Sequence, residues 1–326
     1  MKHHPIKATS IAKKPRTVRR DGPPAPQWPT FTGTSQFAGT SPSGRVTVYV
    51  DPTLGDPGLQ NAQDLVNDAD RVANANDAIF GTTGGNVSVI VYALDGRTDG
   101  TGGADHGGCD FNVGSAIEVC ASFGNSARVS ALFEAELSEC SMGGNLCGVN
   151  TGEALSRWCA SVVGNNVLPD FASAPTWAQD GTPDFVNQTD PTDTNMDSTG
   201  CGMAFISWLL SQGISLNQIA QGLVALGAQG TFAQLYANLT GNAAANAFPN
   251  FMAAVQGLSN GVTSDDPFGG SVQPSQLAHI APWTVSLAGK IFGAILTDVS
   301  AGQPAHHIVA SVRAAMATKP VSKAAD

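Results

Sequence analysis

Apolar and polar residues alternate along the first half of the chain with two different periods. Arg45–Val50 (RVTVYV) alternates in period two and predicts a strand that stops at Asp51-Pro52. Residues 58–80 then carry Ala62, Leu65, Val66, Ala69, Val72, Ala73 and Phe80 at helical spacing, which predicts an amphipathic helix ended by Gly81. Asn86–Leu94 reads as a second, largely buried strand, and Ala116–Ala121 as a third. Between them lies a glycine-rich loop, 95–110. Asn125 or Ser126 is placed to cap a helix from Ala127 to about Ser141, and Thr151 to cap one over 152–163. From there on only helices are expected, over 201–211, 216–226, 232–239 and 251–258, with two more over 276–296 and 305–316. Strands and one helix first, then helices alone, is the α+β pattern: a small mixed sheet followed by a helical subdomain.

Three divisions follow. Residues 1–44, rich in Pro, Gly, Ser, Thr and basic side chains, read as a disordered basic arm and linker. Residues 45–260 read as the α+β domain. Residues 261–326 read as a linker and helical extension, beginning at the turn-rich stretch 261–270.

Charge sharpens this division. The formal net charge of −10 is unevenly spread over the 326 residues. Residues 1–20 hold seven basic and no acidic side chains, which leaves nine basic against 26 acidic in the rest. An acidic body of this kind lacks the clustered Lys and Arg that phosphate contacts require, so no nucleic-acid partner is expected. No apolar run reaches the ~18 residues of a membrane span; the nearest, 283–299, is interrupted by Lys290 and Asp298. The six cysteines, an even number without C-x-x-C spacing, suggest disulfides and an oxidising compartment. The expected pairing is sequence-local: Cys109–Cys120, Cys140–Cys147 and Cys159–Cys201. A secreted or cell-envelope location is expected, although the first 45 residues hold no apolar signal segment.

The candidate chemistry sits on two helices and one loop. Glu136 and Glu139, three apart, share one side of the helix 127–141. Set against the zinc-hydrolase pattern H-E-x-x-H, Ala135 stands at the first histidine, Glu136 at the general base and Glu139 at the second histidine. Glu153, on the next helix, is followed four residues later by Arg157. His106, beside Asp105 in the glycine-rich loop, is the sole histidine between His4 and His279. Asp193, Asn195 and Asp197 match the first three ligand positions of a calcium loop, but Ser198 and Ala204 stand where that loop needs Gly and Glu.

These two helices and the order of elements around them resemble zincin metallopeptidases of the gluzincin and basic-secretory type, over roughly residues 45–260. In that resemblance Glu153 stands at the third zinc ligand, and Arg157 where the family tends to have an acidic residue. It implies a zincin-like fold. The departures at Ala135, Glu139 and Arg157 imply that standard zinc chemistry is lost. Zinc is therefore not expected; calcium or another hard divalent cation is the candidate, held by Glu139 and Glu153 or by the 193–197 loop. The first reading is a non-catalytic binding protein for a peptide or protein ligand. Two others stay open: an active peptidase-type hydrolase using Glu136, Glu139, Glu153 and His106, and a structural assembly protein. The sequence leaves the oligomeric state open.

Overall fold

The computed structural model describes residues 22–112, 115–144, 146–192 and 194–269. A five-stranded sheet carries the first half of the chain. Its strands are β1 (Gln36–Thr40), β2 (Val46–Val50), β3 (Val87–Tyr92), β4 (Ala104–His106) and β5 (Ala116–Cys120), in the order β1-β2-β3-β5-β4. The inner three run parallel, with Val46 opposite Val87 and Ser88 opposite Ala116. The edge strands run antiparallel to their neighbours.

The alternation of β2 explains the two faces of the sheet. Val46, Val48 and Val50 join Val87, Val89, Val91, Ile117 and Val119 in the main core. That core lies under α1 (Gly55–Phe80) and α2 (Ser126–Ser141). Tyr49, Ile90, Tyr92 and Ala116 face the other way, where Trp28 and Phe31 cover them. Trp28 meets Tyr49 edge-on at 5.4 Å, and Phe31 meets Tyr92 at 5.1 Å.

This cover is held by one buried carboxylate. Glu118, on the same face of β5, is fully buried. It accepts hydrogen bonds from Thr30 N (3.1 Å), Thr30 Oγ1 (2.6 Å), Phe31 N (2.7 Å) and Tyr92 Oη (3.2 Å). A buried carboxyl group is costly unless its lone pairs are satisfied, and here all the donors are neutral groups. The stretch expected to be a disordered arm and linker is thus ordered from residue 22: it packs on the sheet and supplies β1. Residues 1–21 lie outside the described residues.

Helices α3 (Asn150–Val163), α4 (Ala174–Gln179), α5 (Met196–Ser211), α6 (Leu216–Leu226), α7 (Phe232–Thr240) and α8 (Ala247–Gln256) complete the described fold, a mixed α and β arrangement. Several boundaries follow the local chemistry. Asn125 accepts from Arg128 N at the start of α2, Gly81 closes α1 at φ 72°, and Ser215 and Thr231 form capping boxes on α6 and α7. Thr151 is not a cap; α3 begins two residues earlier than expected, after Val149. Helix α5 begins five residues earlier than expected, because Asn195 caps it. The helices expected beyond 270 lie outside the described residues, as does the apolar run 283–299. Among the described residues no helix is long and apolar enough to cross a membrane.

The expected cysteine pairing is corrected. The disulfide is Cys109–Cys147, with Cα atoms 5.7 Å apart across 38 residues, while Cys120, Cys140, Cys159 and Cys201 are buried outside it. Sequence proximity was a poor guide because Cys120 lies on β5 and Cys140 on α2, both turned into the core.

Candidate functional site

The site is built where the edge of the sheet meets two helices. Strand β4 is three residues long and pairs with β5, His106 opposite Ile117. This register brings Asp105 and His106 to the end of α2, where Glu136 and Glu139 stand one turn apart. His106 Nε2 lies 2.9 Å from Glu139 Oε2 and 3.7 Å from Glu136 Oε2. Its Nδ1 bonds the carbonyl oxygen of Gly108. A carbonyl only accepts, so Nδ1 carries a proton; a carboxylate on the other nitrogen favours a second proton there.

The electrostatics agree with this reading. Burial works against a charged His106, but the Glu139 hydrogen bond and the fields of Glu136 and Glu139 outweigh it and carry its pKa to about 9. Glu136 moves the other way. Burial, then the neighbouring Glu139, push its pKa well above the usual carboxylate range, against the opposing pull of His106. The trio thus pairs an imidazole whose protonated form is favoured with Glu139, next to a Glu136 carboxyl held towards its protonated form. Burial and the same two glutamates also raise the Cys140 thiol to about 12.

Glu153, on α3, faces the same cleft. Arg157 Nε lies 2.6 Å from its Oε1, the expected i,i+4 pair, and Arg157 also donates to the Phe171 carbonyl at 2.8 Å. The cleft has a volume of about 440 Å³ and is walled by His106, Glu136, Glu139, Glu153, Arg157 and Phe171. Two further walls were not anticipated. Residues 263–266, read as part of a linker, fold back across the cleft. There Asp265 accepts from Ser173 N (2.8 Å) and Ala174 N (2.7 Å), and Asp266 from Ser207 Oγ (2.6 Å). Burial raises the Asp265 pKa despite those two backbone donors. Nothing local in a Gly- and Pro-rich stretch signals such a return.

The structure thus brings His106, Glu136, Glu139 and Glu153 together. The calcium-type loop is not among the cleft walls. Asp193 lies outside the described residues. Asn195 is committed to capping α5 through Asp197 N and to donating to Asp190 Oδ2 at 2.7 Å. Asp197 has its pKa raised by burial and by Asp180. The sequence reading also missed Cys109 and Cys147, which lie against His106: one donor atom from each of the three falls within 4.8 Å of the others. Cysteines facing a lone histidine from two separate loops leave no spacing signature.

The donor set does not fit a zincin zinc ion. Ala135 offers a methyl group at the first ligand position, and its carbonyl instead accepts from Ser138 and Ser156 hydroxyls. Glu139 at the second position is held by His106.

No family model matches the chain, and no curated protein matches it. Among solved structures, it is similar to yeast LTA4 hydrolase in complex with bestatin, at 15% identity and a TM-score of 0.37. The likeness covers 70% of this chain, which spans only 38% of that structure's length. At that level the function has to be argued from the chain's own residues.

Proposed function

We propose that the chain is a zincin-like scaffold whose cleft binds a cationic group of a peptide or protein ligand without hydrolysing it. The observation that carries this reading is the charge of the cleft. Six carboxyl side chains (Asp105, Glu136, Glu139, Glu153, Asp265, Asp266) line it against two cationic ones, His106 and Arg157. Those two cations are already paired with Glu139 and Glu153. Asp105, Glu136 and Asp265 are held above their usual pKa range, chiefly by burial, with neighbouring carboxyl groups adding to the rise at Asp105 and Glu136. An ammonium or guanidinium group entering it restores the ionised form of these carboxyls.

The same state argues against hydrolysis. A general base needs a free carboxylate or imidazole at working pH. Here burial and Glu139 hold Glu136 towards its protonated form, and His106 is held towards the imidazolium. The Cys109–Cys147 disulfide accords with the oxidising compartment of an exported protein. The convergence of Glu136, Glu139 and His106 supports one alternative, an acid–base hydrolase in which Glu136 donates its proton.

Incubating the protein with a mixture of lysine- and arginine-rich peptides, followed by mass spectrometry, separates the two. Intact peptides retained by the wild type, with weaker retention by Glu153→Gln, are expected. Cleavage that Glu136→Gln abolishes would replace the binding reading with the hydrolase.

A further inference from the structure

From the juxtaposition of His106, Cys109, Cys147 and Glu139, we propose a second state of the site: reduction of the Cys109–Cys147 disulfide creates a thiolate–imidazole–carboxylate site for a zinc-type divalent cation.

Four donors meet there. One ring nitrogen of His106 and the two sulfurs lie within 4.8 Å of one another. Glu139 Oε2 lies 2.9 Å from His106 Nε2 and 3.9 Å from Cys147 Sγ. Two sulfurs, one nitrogen and one oxygen are a tetrahedral zinc set, with metal–donor distances of about 2.0–2.3 Å that place neighbouring donors roughly 3.3–3.8 Å apart. In the oxidised chain the sulfurs are bonded to each other and neither is a thiolate. Opening the bond lets them separate to zinc spacing. The donors come from β4, the loop after it, α2 and the loop after α2, so side chains from four separate segments close on one point.

The balance is simple. A thiol reductant supplies two electrons and two protons, giving two cysteine thiols and the reductant's own disulfide. A divalent cation then displaces one proton from each thiol and one from the His106 imidazolium. The other cysteines do not compete. Cys120, Cys140, Cys159 and Cys201 are buried outside the disulfide. Cys109 and Cys147 are half-buried. The set is not the H-E-x-x-H set: it uses neither Ala135 nor Glu136 nor Glu153. It also stands apart from the ligand reading of the cleft, which holds in the oxidised chain.

The experiment is cobalt(II) titration of the full chain, air-oxidised in one arm and reduced with a phosphine in the other. The reduced chain is expected to bind one cobalt, with a thiolate-to-cobalt charge-transfer band and the strong visible bands of tetrahedral cobalt, and to give both up to one equivalent of zinc. The oxidised chain is expected to show neither. Cys147→Ser should weaken the charge-transfer band, leaving Cys109 as the sole thiolate donor, and Cys120→Ser should keep it in full. Should Cys147→Ser fail to fold, alkylation of the reduced wild type gives the same answer: zinc should protect Cys109 and Cys147 selectively. Equal binding in both arms, no binding after reduction, or protection elsewhere would overturn the proposal. Retention of cationic peptides by the oxidised chain is read separately, so failure of one reading is distinguishable from failure of the other.

Discussion

Single residues in this protein are governed by the cost of buried charge. Glu134 shows it most plainly. It is fully buried on the α1 side of α2, and neither carboxyl oxygen has a hydrogen-bond partner. Burial raises its pKa well above the usual range, with Arg71 pulling it back and Asp77 adding to the rise. A carboxyl with a raised folded-state pKa favours the fold while protonated. That contribution is full below the unfolded pKa, about 4.3, and is lost as pH climbs towards the folded value, at about 1.4 kcal/mol per pH unit. Glu134→Gln should therefore change stability little at about pH 4 and raise it by about 1–3 kcal/mol at neutral pH. Denaturant melts of both proteins across that range check this; a stability difference that stays flat with pH would contradict it. Glu134 and Glu136 are two residues apart in sequence and turn to opposite surroundings. The sequence placed Glu136 and Glu139 on one face by helical spacing, and did not show that His106 would sit between them.

At the scale of elements, what was legible depended on whether the signal was local. The strand β2 and helix α1 follow from periodicity, and the ends of α1, α2, α6 and α7 from caps and glycines written in the adjoining residues. The elements missed take their structure from a partner. Strand β4 is three residues in a glycine-rich loop and exists through its pairing with β5. Strand β1 lies in a stretch whose composition reads as linker, and is held by β2. The cover around Trp28 depends on Glu118, 88 residues downstream of Thr30. Glu118→Ala should cost about 2–4 kcal/mol, since hydrogen bonds to a charged group contribute about 1.5–3 kcal/mol each. It should also open residues 22–35 to limited proteolysis; unchanged melting and cleavage would contradict the role given to this carboxylate. Helix α5 approaches its neighbours closely at a glycine. A Cβ on Gly202 would lie 2.7 Å from Ala154 Cβ and 3.0 Å from the Phe232 ring. Gly202→Val should cost about 1–3 kcal/mol or more by overpacking, measured as a lower melting temperature, and a neutral outcome would show that α3, α5 and α7 yield more readily than their contacts suggest.

For the whole molecule, six of the 26 acidic side chains written in the composition line the cleft where function is proposed. The sequence located four members of the cleft, His106, Glu136, Glu139 and Glu153. It missed Asp265 and Asp266, because a chain returning across a cleft after the helices α5–α8 leaves no local mark. It also misassigned the disulfide, because Cys109 and Cys147 meet through the packing of the β4 loop against the end of α2. The central claim is that this cleft attracts positive charge. The most direct test is calorimetric titration of the oxidised full chain with a lysine-rich peptide and with a glutamate-rich peptide of equal length, at low and high salt. The account predicts binding of the lysine-rich peptide alone, weakened by salt and by at least about tenfold, or 1.4 kcal/mol, in a Glu153→Gln, Asp266→Asn double variant. Equal affinity for both peptides, or affinity unchanged in that variant, would contradict it.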